Sequence, residues 1–355
     1  LTTTNHSYNK TTDQNGLGGA IYNNNGKVNL LGSTFSYNSS SFGGAIYNLG
    51  TLIVDTSGKT KTSFIGNKSS FGGAIYNKGS LNISNAIFTS NTANEAGGAL
   101  ILSTASTNSN FSANITNTVF TKNSSTFGGA IFVLGNSANS VKNYLTISNS
   151  SFTSNKSTSD GGAIYADKNS YIQIIDTDFK NNISGGRGGA IFINGGAEVS
   201  IIADTKNVVF SGNKAGGVYN GIYLNSYTEE ESGNLFKAVL NLQTNNGKTI
   251  SFNDYIAGVG TINIYGNTIF NKAVITKGSD IEVVHQNGTL TIYNENSFSG
   301  ASLTLNNSSS LNISNGNVGV VSLKSLKLND TSRVSIDASL KSGQADKIQA
   351  ETVTG

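Results

Sequence analysis

The chain has 355 residues, 42 of them glycine, with no proline, cysteine, methionine or tryptophan, and carries a formal charge of +3 with 12% charged residues. The missing cysteine excludes disulfides and thiolate metal sites. So small a charge, with lysines scattered singly, offers no basic stripe for nucleic acid, and no apolar run approaches the ~18 residues of a membrane-spanning helix.

Residues 1 to about 16 are polar and unpatterned, either a cap or a cut edge. They lack the basic region and apolar core of a signal peptide, and a chain without Met reads as a mature or excised segment of a larger precursor. From Gly16 to about Gly217 two signatures alternate. Gly-Gly-Ala begins at Gly18, Gly43, Gly72, Gly97, Gly128, Gly161 and Gly188, with a decayed Gly216-Gly217-Val218. F-x-x-N begins at Phe35, Phe64, Phe88, Phe120, Phe152, Phe179 and Phe210. Copies recur every 24 to 33 residues, a period that signals a solenoid and falls short of the ~40–50 residues of a propeller blade.

A unit of ~27 residues holds three strands of average length and their turns. Helical spacing is absent, whereas Gly79-Ser-Leu81-Asn-Ile83-Ser and Tyr144-Leu-Thr-Ile147-Ser alternate as strands do. One unit cannot bury its own apolar face and must stack on the next. The expected fold is therefore all-β: a right-handed parallel β-helix with about three short strands per coil, about 13 coils, and a length on the order of 60 Å at the strand spacing. Absent proline suits such a ladder.

Within the unit the aliphatic residue after Ala (Ile46 following Gly43, Gly44 and Ala45) belongs inside, as does the Phe of F-x-x-N. The next residue, mostly aromatic (Tyr22, Tyr47, Tyr76, Phe132, Tyr165, Phe192), points outward by pleat alternation. It forms an external ladder and the candidate contact surface. Gly72-Gly73 and the other pairs supply the corner. Asn38, Asn67, Asn91, Asn123, Asn155 and Asn182 are expected at turns, accepting a left-handed backbone and bonding the coil above.

The polar stretches Thr104–Asn110 and Gly135–Asn143 read as loops leaving a corner. Residues 1–224 form the repeat β-helix, 225–234 an acidic loop around Glu229-Glu230-Glu231, and 235–355 a plainer continuation whose end lies as a cap over the last coil. Strands there include Gly260–Tyr265, Gly288–Tyr293, Ala301–Leu305 and Ser310–Ser314.

The paired signatures, over Phe35–Ile46, Phe64–Ile75, Phe88–Leu100, Phe120–Ile131, Phe152–Ile164 and Phe179–Ile191, resemble the polymorphic membrane proteins of chlamydiae and adhesin-like β-helix proteins. The tail, Val334 to Leu340 and Ala345 to Gly355, is similar to the end of autotransporter passengers. The resemblance implies a secreted passenger displayed on the bacterial cell surface through a C-terminal outer-membrane barrel that this chain does not include.

For chemistry, Asp176 and Asp178 are the best carboxylate pair, expected on one strand face with Asp55 and Asp204 in comparable places. Glycoside hydrolysis needs two such groups flanking a bond, but no basic cluster accompanies them. His6 and His285 read as surface or loop histidines. Gly185-Gly-Arg187-Gly-Gly189 lacks the Lys-Ser/Thr of a phosphate loop and reads as an ordinary corner. The expectation is a non-enzymatic adhesin or extracellular spacer without cofactor or metal. Its partner would be a host-cell or neighbouring-cell receptor or glycan, or the chain itself. A polysaccharide-active β-helix enzyme and a self-assembling coat subunit are the alternatives.

Overall fold

The computed structural model describes residues 1–13, 15–55, 60–103, 111–135, 142–271, 280–293, 298–299, 301–329, 331–339 and 342–355. The loop expected at Thr104–Asn110, and most of that at Gly135–Asn143, lie outside the described residues.

The chain is a parallel β-helix. Among the described residues thirteen strands, one per coil, stack as one sheet, and twenty-seven join in a second that carries the rest of each coil. Neighbouring coils pair in parallel with conserved register: Phe35 lies against Phe64, Ile46 against Ile75, and Leu52 against Leu81. A repeat coil holds four strands, for example Val119–Thr121, Ser124–Ser125, Ile131–Val133 and Asn143–Ser148. The extra strand arises because the run after Gly-Gly-Ala is interrupted by a turn. Beyond Phe252 the coils shorten to two strands, such as Thr289–Ile292 and Ser302–Leu305. The same sheets run on through this change: Ile191 pairs with Ile222, which pairs with Ile256.

Two buried columns fix the coils. In the first, the rings of Phe35, Phe64, Phe88, Phe120, Phe152, Phe179 and Phe210 are fully buried. Their centroids lie 4.6–5.2 Å apart with planes within 12°. His6 extends this stack on Phe35 at 4.9 Å, so it is no loop histidine. Farther on the stack tilts, reaching 42° and 52° at Phe252–Phe270 and Phe270–Phe298.

The second column is the asparagine of F-x-x-N. From Asn9 to Asn182 each Nδ2 donates to Oδ1 of the next coil's Asn at 2.8–3.0 Å. The backbone N–H of each Asn donates to that same oxygen. The second Nδ2 proton goes back to the carbonyl of the preceding coil's Phe, as from Asn123 to Phe88 and from Asn155 to Phe120. Two donors and two lone pairs are thereby used, the full capacity of a carboxamide. The left-handed backbone expected at these asparagines lies one residue earlier, at Tyr37, Gly66, Ser90, Lys122, Ser154, Asn181 and Gly212. Turning the chain there is what aims the Asn inward.

The glycine corners are aligned along the rod. The first glycine of each pair has φ between 62° and 68°, a conformation that a Cβ disfavours. The second has a different reason: a Cβ on Gly98 would lie 2.1 Å from the carbonyl oxygen of Gly129 in the next coil. The decayed Gly216-Gly217-Val218 is not the eighth corner. Lys214–Ala215 and Val218–Asn225 form a small antiparallel turn, and Asn220-Gly221 takes the corner, with Gly189 and Ala190 donating to their carbonyls.

The acidic stretch is the tip of a hairpin between Tyr227–Thr228 and Leu235–Phe236, with Glu230 and Glu231 exposed. The C-terminal segment, expected over the last coil, stacks on it in parallel. Arg333–Ser335 and Lys347–Thr354 extend the two sheets in parallel as another coil. His285 is corrected: it is fully buried, level with Ile264 and Leu305 in the inner column.

Removing one mid-ladder amide leaves donors of Asn91 and the carbonyl of Phe88 without their partner. Asn123→Ala is expected to lose on the order of 3 kcal/mol, read as a lower midpoint in urea unfolding. Burial holds the His285 imidazole below its usual 6.5, against weaker hydrogen bonds to Gly266 and Asn287. The unfolded chain therefore takes up a proton first, and stability falls as pH drops below about 6.5. His285→Leu should flatten that fall in thermal melts between pH 8 and pH 5; an unchanged slope would refute the assignment.

Candidate contact surface

The aromatic column after the aliphatic position is a ladder, but not the bare external one that alternation suggests. Tyr47–Tyr76, Phe132–Tyr165 and Tyr165–Phe192 stack at 5.2, 4.8 and 4.7 Å. Tyr22 is 48% exposed, whereas Tyr47 and Tyr76 are 7% and 8% exposed and Phe192 is fully buried. Phe132 and Tyr165 are half-buried. A second column, one residue before the first glycine, covers them. Phe42 meets Tyr76 edge-on at 5.6 Å and stacks on Phe71 at 5.4 Å, and Phe127 meets Tyr165 edge-on at 5.6 Å.

The corner causes this cover. The glycine pair folds the chain back on itself, so the ring before the corner lands on the ring after it. The product is a second apolar cluster outside the coil, with Tyr47, Tyr76, Ala96 and Ile101 at its heart and Leu17, Phe42, Leu49, Phe71, Phe127 and Phe132 half-buried around them. Sequence reading passed over the covering column, although Phe-Gly-Gly recurs at Phe42, Phe71 and Phe127.

Desolvation marks these hydroxyls. Burial, then the neighbouring Tyr47, push the Tyr76 phenol up to about 12 against a hydrogen bond from Ser103. Burial also raises Tyr165. Both stay protonated over the physiological range. Farther along, the corner position passes to Asp160 and Arg187. The Arg187 Nη2 donates to Asp160 Oδ2 at 2.8 Å, and its guanidinium lies 4.7 Å from the Phe192 ring centre and 5.2 Å from that of Tyr223. The apolar strip thus gives way to a cationic plane stacked on the same ladder.

Asp176 and Asp178, expected on one strand face, do not share a strand. Asp176 sits in a left-handed turn at φ 49°, outside the strands Ser170–Ile175 and Asp178–Lys180. Its carboxylate accepts from the backbone of Asp204, Thr205 and Lys206 and from the Thr205 hydroxyl. Asp178 accepts from Val209 N–H, and Asp204 from Asn245. Asp55 is exposed at a strand end. Each of the first three staples one coil to the next. Among the described residues no group of three His, Asp or Glu could hold a metal ion.

Five segments, residues 32–49, 61–78, 117–134, 149–167 and 176–194, match the Chlamydia polymorphic membrane protein repeat. At these five segments the chain is similar to that family's repeat. The segments cover about a quarter of the chain, and each spans the buried Phe, the buried Asn and the glycine corner of one coil. No curated protein matches the chain, and no solved structure does. The unmatched coil of Phe88 and Asn91 differs on the outside, with Ile101 where the matched repeats hold an aromatic and Ala96 where Phe42, Phe71 and Phe127 stand. Its inner ladders are unbroken.

Burial pushes the Asp176 carboxyl up, but its hydrogen bonds from Thr205, Asp204 and Lys206 outweigh this and hold it below the usual 3.8. The stabilisation is present above that value and is lost as pH falls below it. Asp176→Asn should cost about 2 kcal/mol at neutral pH and less in acid, measured by urea unfolding at both pH values.

Proposed function

We propose that the chain is the passenger of a surface-displayed, autotransporter-like adhesin, a rod whose outer aromatic strip meets a partner on another cell. The reading rests on the repeat match together with one observation. The rod builds a second apolar cluster outside its core and leaves Phe42, Phe71 and Phe127 half-uncovered along it. A solenoid needs no such cluster for its own stacking, which the inner Phe, Asn and aliphatic columns supply. Apolar surface arranged in a continuous row marks interaction surfaces, and rings presented with little freedom to lose suit recognition.

The partner is read as a protein on a host or neighbouring cell, engaged by apolar contact. No catalytic step is assigned: Asp176, Asp178 and Asp204 are occupied as staples between coils. The likeness to repeats of a membrane-protein family supports surface display.

Beads coated with the chain should adhere to cultured epithelial cells. The triple variant Phe42→Ser, Phe71→Ser, Phe127→Ser should lose most of that adhesion while its far-ultraviolet circular dichroism and melting cooperativity persist. Equal adhesion by the folded variant would sink the proposal.

A further inference from the structure

A different outward face carries a feature that neither stacking nor the aromatic strip accounts for. In the strand after the corner turn, one outward column reads Thr51, Ser80, Ser112, Tyr144, Tyr171, Glu198, Val239 and Thr261 from coil to coil. Two aromatic residues interrupt a run of small and polar ones. Tyr144 and Tyr171 lie 5.4 Å apart with rings tilted by 33°. Ser112, the neighbour on the preceding coil, is too small to cover Tyr144, which stays 39% exposed.

The rings border a shallow cleft of about 160 Å³ that Thr146, Gln173, Glu198 and Ser200 also line. This is smaller than the ~300–1,000 Å³ of enclosed ligand pockets and suits a single small ring. Its polar groups are a hydroxyl, an amide, a carboxylate and another hydroxyl, all beside the aromatic platform. Asn241 Nδ2 fixes the Glu198 carboxylate by donating to Oε1 at 2.6 Å. Across the platform the Lys142 ammonium stands 4.4 Å from the Tyr171 ring centre.

We infer that this cleft is a subsite for a neutral pyranose sugar. An aromatic face accepts the apolar C–H face of such a ring, while the carboxylate, amide and hydroxyls bond its equatorial hydroxyl groups in the plane. An anionic sugar would meet the like charge of Glu198, which lines the cleft, whereas Lys142 stands over the Tyr171 ring outside that lining. One open subsite with so few contacts implies weak binding by a single sugar, in the millimolar range of about −4 kcal/mol, to be multiplied by repetition of chains on a surface.

The test is saturation-transfer NMR on the whole chain with the methyl glycosides of glucose, galactose and N-acetylglucosamine, and with glucuronate, each at about 20 mM, well above a millimolar dissociation constant. At least one neutral glycoside should receive saturation at its ring C–H protons, and glucuronate should not. Tyr144→Ser and Tyr171→Ser each install the residue found at that level in Ser112, so the coil folds as its neighbour does; both should weaken binding at least tenfold. Glu198→Gln keeps the acceptor for Asn241 and should weaken it severalfold. The triple phenylalanine variant of the outer strip should bind the glycoside unchanged, which separates this site from the adhesion reading. Absence of transfer to every neutral glycoside, transfer that survives Tyr144→Ser, or equal transfer to glucuronate would each overturn the inference.

Discussion

Aliphatic ladders alone cannot hold parallel coils in place, because a strand that slips by two residues presents another aliphatic side chain to the same neighbour. The buried amide column removes that freedom. A slip would carry each Asn away from the oxygen that accepts its two N–H bonds and from the Phe carbonyl it serves, stranding donors in an interior that offers no others. Every unpaired group costs about 1–3 kcal/mol, and the cost recurs in each coil. Register in this rod is therefore set by polar groups, and cohesion by the apolar ones around them.

The glycine pair completes the constraint from the opposite side. At the second glycine backbone rests on backbone, leaving no volume for any side chain. With Phe, Asn and Gly-Gly holding three points, the intervening chain is free to vary. That freedom is used: the hairpin at Tyr227–Phe236 and the turn at Ala215–Val218 are accommodated by one register shift between Asn220 and Ile222, while Ile191, Ile222 and Ile256 stay paired.

Period and motif order made the solenoid and its inner columns readable from the amino acids alone, because stacking like on like leaves the same residue types at the same interval. What escaped reading depended on the path of the chain between those points. The left-handed residue is the one before each Asn, since burying the amide requires the turn to come first. The outer aromatics are covered because the corner folds one column over another, a contact between residues that alternation treats separately. Asn220-Gly221-Ile222-Tyr223 holds the corner that Gly216-Gly217 imitates, and only the inserted turn reveals the displacement. His285 shares the parity of Ile281 and Val283, so its burial was available to the same rule that placed the aliphatic residues. The tyrosine-lined cleft had no signature, being made by two residues 27 positions apart.

The amide column also has a direction. Each Asn receives on its oxygen from the coil before and gives from its nitrogen to the coil after, so adding or deleting a whole coil within it leaves every partner matched. At Asp254 the side chain that meets Asn213 is a carboxylate, whose Oδ2 receives at 2.6 Å and which has no amide proton to pass onward. Rod length can thus change in whole-coil steps on one side of this residue, while the relay ends there and the simpler two-strand coils begin. A lineage could lengthen or shorten the reach of such a rod by duplicating or losing one unit of DNA, with the terminus of the relay staying where it is.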